Sequence, residues 1–100
     1  MLERDVERRL VAQLKKLGIK HIKLSAIGRR GLPDRQIFLP GGRSLFIELK
    51  SPDRKDNLST NQEMEISALR ALGFPVLVSC DAKECVSWIL EFVRSAGPQN

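Results

Sequence analysis

The sequence predicts an α/β protein with a mixed four-stranded sheet flanked by helices, its elements in the order α-β-β-β-α-β-α. Three patterns carry this reading. Apolar residues recur at helical spacing in three separate stretches, near the start, after the middle and at the end of the chain. Two apolar runs lie on either side of Pro40-Gly41-Gly42, a turn signal that predicts an antiparallel hairpin. A further run, FPVLVSC, is apolar almost throughout and suits a strand in the middle of a sheet.

In order along the chain, residues 3–17 are expected to form the first helix. Val6, Leu10, Leu14 and Leu17 share one face, and Gly18 is placed to stop it. Residues 21–24 read as a short strand with Ile22 and Leu24 on one side. Residues 25–33 hold Gly28, Gly31, Pro33 and the pair Arg29-Arg30, and read as a mobile basic loop whose glycines would let it lie against a backbone. Residues 34–39 and 44–50 form the expected hairpin, with residues 40–43 as its loop. Residues 51–57 are polar and loop-like. The second helix is expected from residue 59 or 60 to 72, opened by a capping box of either Ser59 with Gln62 or Thr60 with Glu63. Ile66, Leu69 and Leu72 make its apolar stripe, and Gly73 ends it. Residues 75–80 are the last strand. Asp81 caps a final helix to about Arg94, with Cys85, Trp88, Ile89 and Phe92 on one side.

One hundred residues, 42% of them hydrophobic, suffice for one ordinary domain. It is expected to occupy residues 1–96, with 97–100 a disordered tail. No apolar run approaches the roughly 20 residues that span a bilayer, and the charged start lacks a secretion signal, so a cytoplasmic protein is expected. Cys80 and Cys85, with His21 as the sole and distant histidine, make a poor zinc site and read as reduced, mostly buried thiols. The formal charge of +5 favours a polyanionic partner without establishing one.

The chemistry concentrates in Gly31-Leu32-Pro33-Asp34 and Glu48-Leu49-Lys50. Side chains alternate along a strand, so Glu48 and Lys50 share a face, about 7 Å apart, while Leu45, Ile47 and Leu49 take the other. In a hairpin the start of one strand lies beside the end of the next, which brings Asp34 towards both. Two carboxylates are hard oxygen ligands suited to Mg²⁺, and the Leu49 carbonyl between the charged residues offers another oxygen. A metal so held activates water and stabilises phosphate charge. Lys50 is then placed to orient the water, to deprotonate it, or to neutralise the phosphate, and the sequence does not choose among these. On position alone the same residues read more readily as an exposed cross-strand salt bridge of Asp34 or Glu48 with Lys50, worth ~0–1 kcal/mol.

GLPDRQIFL, LFIELKSP and LSTNQ together resemble the VRR-NUC family of the PD-(D/E)xK nuclease superfamily, whose pattern is G-x-P-D, then E-x-K on a strand, then Gln at the start of a helix. The resemblance covers nearly the whole chain and is to a small standalone, phage-type member. It implies a restriction-endonuclease-like fold and a Mg²⁺- or Mn²⁺-dependent nuclease. Asp34 and Glu48 would bind metal, Lys50 would be the catalytic lysine, and Gln62 would help hold a water or a phosphate. Glu3 on the first helix would complete the metal shell, with Glu7 its rival one turn on; both also read as first-turn carboxylates favoured by the helix dipole. The resemblance further implies a DNA endonuclease, acting as a homodimer on duplex or branched DNA such as four-way junctions, in the cytoplasm of the host cell for a phage protein. Competing functions are a non-catalytic DNA-binding module on the same fold, and a nuclease of RNA.

Around these segments lie Lys23, Arg29, Arg30, Arg35, Arg43, Arg54 and Lys55. Arg29, Arg30, Arg35, Arg54 and Lys55 are the expected phosphate contacts, giving salt-dependent and sequence-tolerant binding. Phe38, Phe46, Phe74 and Phe92 fall in apolar patterns and are expected in the core rather than as base-stacking platforms.

Overall fold

A computed structural model describes residues 1–54 and 56–95. The elements are α1 (Glu3–Leu17), β1 (His21–Lys23), β2 (Arg35–Leu39), β3 (Arg43–Leu49), a single 3-10 turn (Pro52–Arg54), α2 (Thr60–Ala71), β4 (Val76–Ser79) and α3 (Ala82–Arg94). The sheet order is β1-β2-β3-β4. β1 and β2, and β2 and β3, pair antiparallel, whereas β3 and β4 pair parallel across the connection that contains α2. The predicted element order and mixed sheet are therefore what the chain forms.

Strand alternation divides the core in two. Ile37, Leu39, Leu45, Ile47 and Leu49 face α1 and α3, and they pack with Val6, Leu10, Leu14, Cys85 and Ile89. Phe46, on the opposite face of β3, packs with Ile66 of α2, Val76 of β4 and the half-buried Leu24, Leu58, Leu69 and Val78. Glu48 and Lys50 follow Phe46 at two-residue steps, so they emerge on the α2 side where that apolar row ends.

The helix ends follow local chemistry. α1 starts with the Leu2 N–H donating to the Asp5 carboxylate at 3.0 Å and stops at Gly18 with φ 68°. α2 takes the Ser59–Gln62 capping box, not Thr60–Glu63: the Gln62 N–H donates to Ser59 Oγ at 3.1 Å and the Ser59 N–H to Gln62 Oε1 at 2.9 Å. α3 is capped by Asp81, whose carboxylate accepts the Lys83 N–H at 2.9 Å. Asp81 is not one of the three clustered carboxylates described below, so Asp81→Ala is expected to lower thermal stability by about 1 kcal/mol, read from the melting midpoint, and to leave metal binding unchanged.

Four expectations are corrected at this level. The hairpin loop is Pro40-Gly41-Gly42, because Arg43 pairs with Leu39 and extends the ladder by one residue. Asp34 precedes β2 rather than opening it, since the ladder to β3 ends at the Arg35–Ile47 pair, and Lys50 follows β3, whose ladder to β4 ends at the Leu49–Ser79 pair. Phe74 is 37% exposed and meets Phe46 edge-on at 5.5 Å, at the rim of the second cluster rather than inside it. Cys80 is only half-buried, while Cys85 is fully buried, its thiol pushed up to about 11 by burial. The predicted tail 97–100 and Lys55 lie outside the described residues.

Candidate metal and active site

Pro33 and Asp34 terminate the β2–β3 ladder in a way that leaves a backbone oxygen without a ladder donor. Continuing the Arg35–Ile47 register by two positions sets Pro33 opposite Leu49. Proline has no N–H to return to the Leu49 carbonyl. The Leu49 N–H is instead taken by the Asp34 carboxylate, at 2.7 Å. N–H and C=O of one strand residue leave on the same edge, so the Leu49 carbonyl points to the Asp34 side with no ladder donor facing it. Pro33 itself is fully buried, which fixes this arrangement.

Three carboxylates from three elements meet there. Oxygens of Glu3, Asp34 and Glu48 lie within 4.8 Å of one another. Glu3 comes from the first turn of α1, Asp34 from the entry to β2 and Glu48 from the end of β3. Glu7 does not join them. Its carboxylate holds Lys23 Nζ at 3.1 Å and Arg35 Nε at 3.0 Å, and Arg35 in turn lies 3.2 Å from His21 Nδ1. Burial, with Arg35 and Lys15 nearby, holds the His21 imidazole below its usual pKa.

Glu48 is the least comfortable of the three. It is 2% exposed. Its Oε2 accepts the Gln62 amide at 2.9 Å and lies 3.7 Å from Lys50 Nζ, whereas its Oε1 is buried with no hydrogen-bond partner. Burial first, and the neighbouring Asp34 second, push the Glu48 carboxyl up to about 8, against the pull of Lys50. Burial also raises Asp34, although its bond from the Leu49 N–H works the other way. A buried acceptor without a donor, beside two more carboxylates, is a site in which the single Lys50 ammonium supplies too little positive charge. A divalent cation coordinated by oxygens would supply that charge, and the donor set is all hard oxygen.

Gln62 joins α2 to the site. Its Oε1 accepts both Lys50 Nζ at 3.0 Å and the Ser59 N–H at 2.9 Å, and its Nε2 donates to Glu48. Two donors at the oxygen and a carboxylate at the nitrogen fix which way the amide faces. One side chain thus makes the capping bond to Ser59 and the bonds to Lys50 and Glu48 at once. Ser59 is the cap that the three-residue offset to Gln62 offered as one of two alternatives.

Gly31 makes this junction possible. It has φ 82°, and a Cβ there would meet the Asn61 carbonyl and lie 2.7 Å from the Gln62 nitrogen. The backbone it lies against is therefore that of α2, not of a bound nucleic acid. Arg29 ion-pairs with Glu65 on the same helix. Of the expected phosphate contacts, Arg35 is turned inward on Glu7 and Arg29 is paired with Glu65, while Arg30 and Arg54 are exposed.

No family model matches the chain. A phage protein described as "Putative nuclease p44", from Acyrthosiphon pisum secondary endosymbiont phage 1, is 40% identical over 76 residues, which are 76% of this chain and 80% of that protein. A solved structure of a VRR_NUC domain superposes with a TM-score of 0.70 and 30% identity, over 87% of this chain and 92% of that one. The chain belongs to the VRR-NUC family. It shares with that family the fold of the PD-(D/E)xK nucleases, and nuclease is its function class. Among the described residues, no helix of this VRR-NUC chain is long and apolar enough to cross a membrane.

Proposed function

We propose that this VRR-NUC protein is a Mg²⁺- or Mn²⁺-dependent DNA endonuclease whose ion is held by Glu3, Asp34, Glu48 and the Leu49 carbonyl. The observation that carries the reading is the partnerless Glu48 Oε1 inside a cluster of three carboxylates. When bound, the ion lowers the pKa of a water and offsets charge developing on the phosphate.

The protein's own groups do the rest. Glu48 has to lose its proton for the site to fill, so ion binding and proton release are coupled. Asp34, tied to the Leu49 N–H, keeps one oxygen fixed and leaves the other to turn towards the cluster. Lys50 already donates to the Gln62 oxygen, which suits a role in orienting the water and stabilising charge at the phosphate. Gln62 keeps Lys50 and Glu48 in register, since each is bonded to one end of its amide. Arg30 and Arg54, both exposed, are the residues best placed to meet flanking phosphates, while Arg29 and Arg35 are engaged by Glu65 and Glu7, and Lys55, outside the described residues, remains a further candidate by sequence.

Branched DNA, four-way junctions included, is the proposed preferred substrate, cut by a homodimer in which each copy addresses one strand. The single described domain has little surface with which to embrace a duplex alone. The test is to incubate the protein with Mg²⁺ or Mn²⁺ on linear duplex, single-stranded, flap and four-way-junction DNA. Cleavage that is fastest on the branched substrates and stopped by a chelator is the expected result. Intact substrates throughout, or cleavage indifferent to the chelator, would contradict the reading.

A further inference from the structure

The connection between β1 and β2 carries one side chain that neither the core nor the carboxylate cluster uses. Ile27 is fully exposed, at 107%. Single exposed apolar residues are ordinary on protein surfaces, but the setting of this one is not. Ile27 and Gly28 form a tight turn in which the Arg29 N–H donates to the Ala26 carbonyl at 3.3 Å, with Gly28 at φ 79° as a type II turn requires. The loop is tied at both ends. The Leu24 N–H donates to the Asp34 carbonyl at 3.0 Å, and on the far side Gly31 is seated on the start of α2 while Arg29 pairs with Glu65. Arg30 stands exposed beside the turn, with no ion-pair partner among the described residues.

A β-branched side chain has little freedom about its first torsion, so Ile27 is a stiff aliphatic projection beside guanidinium groups. It follows Leu24 by three positions, and the backbone of Leu24 is bonded to that of Asp34. Three extended residues span at most about 11 Å, equal to about three base steps along one strand. The turn is thereby tethered within a few base steps of the backbone that carries Asp34.

We propose that Ile27 is a specificity-determining wedge, inserted against unstacked bases next to the scissile phosphate, which favours DNA whose stacking is already broken. The proposal rests on the nuclease reading of the site and adds the feature that would tell a branch from a continuous duplex. Wedging into an intact duplex requires a base step to be unstacked, whereas a junction or flap has lost that stacking beforehand. The same apolar contact then discriminates between the two. Arg30 holds the backbone, and Ile27 reads the break in it.

The test uses the full chain and a four-way junction with 2-aminopurine at the branch point. Fluorescence is read on binding of the Asp34→Asn protein, with and without Ile27→Ser. The ratio of kcat/KM on junction to kcat/KM on linear duplex is read in the otherwise unaltered protein. The expected results are a rise in fluorescence that Ile27→Ser removes, a fall in the ratio by about tenfold or more, and retention of both by Ile27→Leu. Equal fluorescence and an unchanged ratio in Ile27→Ser would overturn the wedge while leaving the nuclease reading intact. A change in sedimentation of DNA-free Ile27→Ser would also overturn it, by making Ile27 a contact between protein copies. Failure of the unaltered protein to cut any DNA would remove the wedge and the reading beneath it together.

Discussion

Glu48→Gln is expected to abolish cleavage, by about three orders of magnitude or more, while making the metal-free protein more stable at alkaline pH. The two effects have one cause. The Glu48 carboxyl sits at about 8 against an ordinary value of 4.5, because burial and Asp34 disfavour its charge. A carboxyl raised on folding contributes its full stability below the unfolded value, and that contribution is lost as pH rises through the folded one. From about pH 4.5 to 8 the metal-free protein should therefore lose stability progressively, on the order of several kcal/mol in all. Glutamine carries no such charge and can keep the bond to Gln62. Denaturant melts at pH 5 and pH 9 check this: near-equal midpoints at pH 5, and a higher midpoint for the variant at pH 9. The loss of activity follows from removing a charged oxygen ligand and leaving the phosphate charge without its counterion. A variant that keeps cutting, or one less stable than the parent at pH 9, would contradict the assignment.

Gly31→Ala is the second substitution with a large expected effect, and it acts at a distance from the chemistry. The added Cβ would overlap the backbone of α2 at Asn61 and Gln62, and φ 82° is itself strained for an L side chain. Neither neighbour is a flexible side-chain end. Either the loop lifts from α2 or the first turn of α2 shifts, and the second movement displaces the Gln62 amide from Lys50 and Glu48. A loss of about 2–4 kcal/mol in stability is expected, together with a fall of about tenfold or more in kcat that persists at temperatures where the variant is folded. Gly28→Ala serves as the comparison: its φ is similarly positive, at 79°, but a Cβ there meets nothing within 4 Å. It should cost only the backbone strain, about 1–2 kcal/mol.

The sequence was most legible where the controlling interactions are local. Helix periodicity, Gly18, Asp81 and the Ser59–Gln62 offset each act within a turn or two of chain, and the elements formed accordingly. The meeting of Asp34 with Glu48 and Lys50 was legible because a hairpin converts sequence order into proximity. Glu3 joined this group on the strength of a family resemblance; its distance from Glu48 in sequence hides the contact from any local pattern. What stayed hidden depended on packing between distant segments. Glu7 and Arg35 are 28 residues apart and satisfy one another, which is why Arg35 is turned inward and Glu7 is kept out of the carboxylate cluster. Pro33 looked like loop punctuation, and only the ladder register shows it opposite the Leu49 carbonyl. Gly31 read as a flexible position, although its lack of a side chain is what lets the loop seat on α2.

The most direct test is a calorimetric titration of the metal-free protein with Mn²⁺ at pH 7, repeated in two buffers of different protonation enthalpy. If Glu3, Asp34 and Glu48 hold the ion, the protein binds it and releases close to one proton, drawn from Glu48, and each pH unit below about 8 weakens binding up to about tenfold. Glu48→Gln and Asp34→Asn should each remove most of that heat. Binding that is absent in the parent protein, or that is equally strong in Glu48→Gln and independent of pH, would show that these carboxylates do not form the metal site.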